Sequence, residues 1–302
     1  MIKQSWHFLG LPAQTNESLW IFNLCICLAH FIIVIVVLLD GSDVSLPVTT
    51  SYIAWKEINA TGHHGDSCRQ GNCYLETEFA KLTVLPDISL AGLLIWSHIL
   101  SLSWPFLVLF DGPAERFYYR QRKRGRNTFR WVEYALSSPL MIVVIAAILG
   151  QADFCVLTLL AISTSTLMVL GYLTEVHIKM TPPITHITGW LLFSLIWAVI
   201  TFTFVLGLNR SVTPPPPEVL AVIYPTYFTM LAFFGSFGVI QAVHVATDMK
   251  EKRLLDENAP LKYNAVEMWY AILSLSSKIA LSILLYLLVR TRDKVLQIEF
   301  IK

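Results

Sequence analysis

An all-α membrane protein, a seven-transmembrane helix bundle with a small extracellular β-ribbon in its first loop, is the fold class that three features of the chain predict. Of 302 residues, 55% are hydrophobic, and mean hydropathy is +0.59. That is too apolar for an ordinary soluble domain, and the chain is too long for one anchor. Apolar runs long enough to cross a bilayer recur from end to end. Between the first two lies a long polar loop with stretches of strand-like composition. Together these read as one domain over residues 1–302, a multi-pass protein of the cell membrane in direct contact with the lipid bilayer.

Met1 to Ser18 carries Lys3, Gln4, Gln14, Asn16 and Glu17, and the apolar run after it lacks a small-residue cleavage site. No cleavable signal is expected, and Leu19 to Leu39 stays as the first span. The loop 40–86 follows as the extracellular element. VTTSYIAW (Val48 to Trp55) and CYLETEF (Cys73 to Phe79) are rich in β-formers, and Gln70-Gly71-Asn72 supplies a turn. Cys68 and Cys73 share this loop and read as a disulfide on an oxidising face. His63, His64 and Asp66 beside Cys68 offer zinc donors, but at a spacing that fits no familiar zinc pattern. An isolated two-stranded ribbon is marginal, so this one is expected to pack on the bundle or on a second protomer.

The remaining spans are Ile88 to Phe110, Trp131 to Leu149, Phe154 to Leu173, Ile187 to Leu208, Val219 to Val245 and Ala265 to Val289. The loop 111–129 holds Arg116, Arg120, Arg122, Lys123, Arg124 and Arg126 with few acids, and the positive-inside rule makes it cytoplasmic. The N-terminus is then cytoplasmic and the C-terminus extracellular. Lys250, Lys252, Arg253 and Lys262 agree, whereas Arg290, Arg292 and Lys294 argue the other way. Asn59-Ala60-Thr61 and Asn209-Arg210-Ser211 match the N-glycosylation pattern in loops placed outside, while Asn16-Glu17-Ser18 matches it inside. Pro214 to Pro217 reads as a polyproline spacer. The basic loop is foremost a topology signal, with contact to anionic lipid or a cytoplasmic signalling partner as a further use. No P-loop, dinucleotide fold, zinc protease or nucleic-acid module is present, so neither an enzyme nor a nucleic-acid partner is expected.

The last span holds a lone lysine, Lys278. From Ala265 it is about 20 Å along a helix axis, in a hydrocarbon core about 30 Å thick. A charge there costs about 3 kcal/mol on insertion scales, which makes an intramembrane lysine a functional-site hypothesis. Amines in such places condense with carbonyls to give Schiff bases; the plainer reading is a packing lysine paired with a buried acid. The third span opens RWVEYALSSPLM, with Arg130, Glu133, Tyr134, Ser137, Ser138 and Pro139. Arg130 and Glu133, at i and i+3, read most simply as a local pair at a helix mouth.

That pattern resembles the third helix of microbial rhodopsins, and the last span resembles their retinal-lysine helix. The forms RWVEY and LSLSSK resemble the heliorhodopsin branch, whose inverted orientation agrees with the one derived above. The resemblance runs through all seven spans. It implies all-trans retinal bound covalently to Lys278, with Glu133 as counterion and Ser274, Tyr134 and Ser137 around them. It further implies a polar proton cavity at His30 and His98, and a homodimer. Phe234 and Trp190 are expected walls of the chromophore slot. Ser274 and Val144 stand where proton pumps of the wider group often carry acids, which argues against pumping. His177, His186 and His244 read as interfacial. Glu175, near the cytoplasmic end of the fourth span, reads as an interfacial carboxylate or as a second acid on a proton path. The leading expectation is a non-pumping light sensor. A light-gated proton channel using Glu133 and Glu175 comes next, and a retinal-free seven-helix receptor after that.

Overall fold

Seven of the helices among the described residues are long and apolar enough to cross a membrane. The computed structural model describes residues 7–8, 11–12, 16–41, 43–59, 73–110, 112–176, 184–210, 215–251 and 259–301. Two short paired strands, β1 (His7–Phe8) and β2 (Leu11–Pro12), precede α1 (Asn16–Asp40). An antiparallel ribbon follows, β3 (Ser45–Asn59) with β4 (Cys73–Ser89), and leads into α2 (Leu90–Val108). A short helix α3 (Pro113–Arg122) occupies the basic loop. The rest is α4 (Thr128–Ile148), α5 (Phe154–Val176), α6 (Ile184–Arg210), α7 (Pro217–Glu251) and α8 (Ala259–Ile301). The chain is a multi-pass membrane protein.

The helix α4 is the central one, with 61% of its most apolar stretch buried against 22% for each of α5, α6 and α7. Ile142, Val144 and Ile145 on α4 pack with Met230 and Leu281 in the main core. Outward faces carry large apolar residues such as Phe202, Leu191 and Ile187. A lipid tail is as apolar as leucine, so these faces need no polar cover. Polar side chains therefore concentrate inward, around α4 and α8.

The ribbon is longer than its β-rich stretches suggest, fifteen residues in β3 and seventeen in β4. Lys81 and Leu82 pair with Ser51 and Thr50, because ladder hydrogen bonds extend pairing through residues of modest strand preference. Irregular register at Leu46, Val48 and Thr49 accommodates the region of Pro47. The ribbon's base is fastened to the bundle: Thr49 N–H donates to the Ala152 carbonyl at 2.9 Å, and buried Val48 joins the main core. Cys73 opens β4, whereas Cys68, His63, His64, Asp66, Thr61, His177, Ser211 and Pro214 lie outside the described residues.

The basic segment is an amphipathic helix docked on the bundle. Tyr118 is 2% exposed and packs with Trp104 and Leu19, and burial holds its phenol above the usual tyrosine range. The Arg122 guanidinium lies over the rings of Tyr118 and Tyr119, at 4.9 and 4.7 Å. Gly125 turns the chain with φ of +69°, a conformation other residues resist. That turn delivers Asn127 to cap α4, its side chain accepting from Arg130 N–H at 3.3 Å.

Candidate functional site

Lys278 and Glu133 meet in the buried middle of the bundle. Lys278 is 2% exposed and Glu133 is 4% exposed, and Nζ stands 3.6 Å from Glu133 Oε1. Nζ donates to Ser274 Oγ at 2.9 Å, one turn earlier on α8. Glu133 Oε1 also accepts from Ser137 Oγ at 2.7 Å and from Ser101 Oγ on α2. Two hydroxyl donors and one ammonium thus hold the carboxylate in one orientation. The Tyr134 ring lies 5.9 Å from Nζ, and its hydroxyl donates to the Tyr270 carbonyl at 2.9 Å, tying α4 to α8. Depth counted from the apolar runs separates Lys278 and Glu133 by about 12 Å. In the fold the two side chains nonetheless meet, with Lys278 reaching back one turn toward the N-terminus of α8, where Nζ bonds Ser274.

Behind the lysine, His30 on α1 and His98 on α2 are buried with their Nδ1 atoms 2.9 Å apart. Ser282 fixes their tautomers. Its hydroxyl donates to the Lys278 carbonyl at 2.9 Å, so at 3.2 Å His98 Nε2 must donate to Ser282 Oγ. In a neutral pair His98 Nδ1 then accepts from His30 Nδ1–H, which leaves the His30 Nε2 lone pair open.

Arg130 does not pair with its i+3 neighbour. Its guanidinium is buried between two other carboxylates, Glu175 at 2.6 Å from Nη2 and Glu267 at Nη1, and lies 4.0 Å over the Tyr270 ring. Glu175 is no interfacial side chain: it is 4% exposed. It also accepts from Trp131 Nε1 at 2.6 Å, Tyr263 OH at 2.9 Å and Asn127 N–H at 3.2 Å. Glu267 accepts from Asn127 Nδ2 at 2.9 Å. Arg130 turns from Glu133 because α5 and α8 bring their acids to the same end of α4, while Ser101, Ser137 and Lys278 occupy Glu133.

Beside Lys278 lie two neighbouring chambers among α4, α5, α6, α7 and α8, which share wall residues and together form a channel. Its inner chamber, about 30 Å³, is lined by Lys278, Tyr134, Ser138, Met141, Ser277 and Phe234 among others. The outer chamber, about 60 Å³, reaches His186, Trp190 and Phe193. Leu167, Met168, Phe234 and Phe237 border both chambers. One end therefore offers an amine and hydroxyls, and the rest offers mainly aliphatic and aromatic walls. That donor set fits a long polyene aldehyde. Ligand pockets usually measure about 300–1,000 Å³, so admitting one requires the bordering side chains to turn aside. Trp190 is held by its Nε1–H donating to His186 Nε2 at 3.0 Å, so His186 supports the channel wall. A Cβ on Gly238 would stand 2.7 Å from Trp190 Cζ2. Gly238→Ala is accordingly expected to displace Trp190 and lower stability by about 1–3 kcal/mol in thermal unfolding. An unchanged midpoint would show that the indole yields freely.

The structure brings Lys278, Glu133, Ser274, Ser137, Tyr134, His30 and His98 close together and sets Phe234 and Trp190 in the chamber walls. Sequence reasoning missed Ser101 and Glu267. Helical spacing carried a signal for each: Ser101 lies about one turn after His98, and Glu267 about three turns before Lys278, on the same faces. Asn127, Trp131 and Tyr263 had no such signal, since their role depends on which acid they meet. One solved structure to which the chain is similar is described as a crystal structure of thermophilic rhodopsin. The identity is 16%, the match covers 67% of this chain and 80% of that one, and the TM-score is 0.43. No curated protein matches the chain. Residues 19–289 match the family model for heliorhodopsin, and the chain belongs to that family.

Proposed function

We propose that this protein is a photoreceptor, a retinal-binding light sensor that does not pump ions. Membership in the heliorhodopsin family supports a light-responsive retinal protein. The observation that carries the finer reading is the Lys278 amine, 3.6 Å from Glu133 and opening onto an aromatic channel. All-trans retinal, joined to Lys278 Nζ as a Schiff base, would supply a light-absorbing cation and a proton that light sets free.

The chain's own groups do the rest. Glu133 balances the positive charge, and Ser101 and Ser137 fix its orientation. Ser274 bonds the nitrogen and Tyr134 walls it. Phe234 and Trp190 exclude water from the apolar length. His30 Nε2 is open to receive the released proton. In this reading the N-terminus is cytoplasmic, the C-terminus is extracellular, the working unit is a homodimer, and a cytoplasmic partner reads the signal.

Glu133→Gln removes the balancing charge. The expected result is a visible band moved to longer wavelength or lost to the near ultraviolet, measured on purified pigment. A spectrum like the wild type's would remove Glu133 from the counterion role.

A second reading, a light-gated proton conductor using Glu133 and Glu175, draws on one further feature. A pocket of about 10 Å³ touches His30, Ser101, Arg130, Glu133 and Glu267, room for about one water. Glu133 Oε2 is buried and accepts no hydrogen bond from the described residues. A water there would link the Lys278 site to the Arg130–Glu175 cluster. Voltage clamp on illuminated, retinal-fed cells separates the two readings: currents that vanish in Glu175→Gln favour conduction, and silence with a normal photocycle favours sensing.

A further inference from the structure

Away from the channel, α1, α2 and α8 enclose a groove of about 420 Å³, a volume typical of small-molecule sites. Its walls are aliphatic, among them Ile33, Val37, Leu94, Ile279, Leu285 and Val289. Along its open side Val36 and Ile283 are 57% and 53% exposed, inside segments that span the membrane. The medium at that opening is therefore acyl chain. Protein interiors are close-packed, and a space this large forfeits many dispersion contacts unless something fills it.

At one end the groove meets charge. Asp40 lines it, and Arg290 Nη2 stands 3.5 Å from Asp40 Oδ1. The Arg290 side chain is 54% exposed, and its Nε–H donates to Tyr286 OH at 3.2 Å. An apolar slot ending in one cation and one anion complements a zwitterionic headgroup, with phosphate toward the guanidinium and ammonium toward the carboxylate. Ser282, on the groove's wall, carries the hydrogen bonds to His98 and to the Lys278 carbonyl.

We infer that this groove binds a zwitterionic phospholipid, with an acyl chain between α1 and α8 and the headgroup on the Asp40–Arg290 pair. Through Ser282 the bound chain sets the rate at which the Lys278 site recovers after light. This regulatory half rests on the photoreceptor reading; lipid binding does not.

Native mass spectrometry of the full chain, titrated with dioleoylphosphatidylethanolamine and with dioleoylglycerol, tests the binding. The wild type should retain one phospholipid per chain, with dioleoylglycerol about tenfold weaker. Val36→Trp plugs the opening from an outward position and should weaken phospholipid binding about tenfold, and Ile283→Trp provides a second plug. Arg290→Gln should abolish the preference for phospholipid over dioleoylglycerol. Retention by both plugged variants equal to the wild type's means annular lipid only and overturns the proposal. So does a Val36→Cys cross-link between two copies, which would make the groove a dimer contact. Flash spectroscopy reads the regulatory half: adding the phospholipid to delipidated wild type should change dark recovery at least about twofold, and leave Val36→Trp unchanged. An unchanged wild-type rate overturns that half. Colourless protein that still binds the phospholipid would overturn the photoreceptor reading and leave the lipid site standing.

Discussion

Lys278→Ala is expected to give a protein with no visible absorption after expression with retinal. The amine is the reactive group at the closed end of the channel, and alanine offers nothing for an aldehyde to join. Loss of colour could also follow from loss of fold. Removing one partner of a buried ion pair costs about 3–5 kcal/mol, and Glu133 would keep the Ser101 and Ser137 hydroxyls but lose its ammonium partner. Lys278→Arg separates the two causes. It keeps a positive charge beside Glu133 and, being charged at all ordinary pH, forms no imine. The arginine variant should fold with a near wild-type thermal midpoint and be colourless. A visible band in folded Lys278→Arg would place the chromophore elsewhere and end the photoreceptor reading as stated.

Arg130→Met is expected to destabilise the protein by about 3–5 kcal/mol. Methionine replaces the guanidinium with similar bulk but strands Glu175 and Glu267 together in a space that is 1% exposed at its centre. The cost comes from the unpaired carboxylates, so removing their charge should restore stability. Arg130→Met/Glu175→Gln/Glu267→Gln should therefore be more stable than Arg130→Met alone, a coupling that a triple-mutant cycle measures. Chemical denaturation in detergent micelles gives both numbers. Additive losses would mean that the three side chains do not act as a unit.

The two clusters differ in how far they could be read from the chain. Lys278 announces itself because its neighbours in sequence are apolar, and Ser274 follows from one helical turn. His30 and His98 stand out as polar residues in apolar runs. Glu175 and Arg130 were visible but misjudged, since each lies near a span's end, where a charge usually reaches the interface. In the fold, α4 is the most enclosed helix, so its terminal turn is covered by α5 and α8. The ribbon was legible in its β-rich halves. Its extension to Ser89 was not, because pairing there depends on the facing strand.

By itself the sequence determined a membrane bundle of seven spans with an ionisable pair in its interior. Span length and apolar composition are local properties that the bilayer reads one segment at a time. The tertiary structure decided which acid meets which cation. Arg130 bonds Glu175 and Glu267, 45 and 137 residues away, rather than Glu133 on its own helix. Partnership among buried charges depends on how each helix is rotated and how deep it sits against its neighbours. Those are properties of packed side chains, and no spacing within a single helix records them.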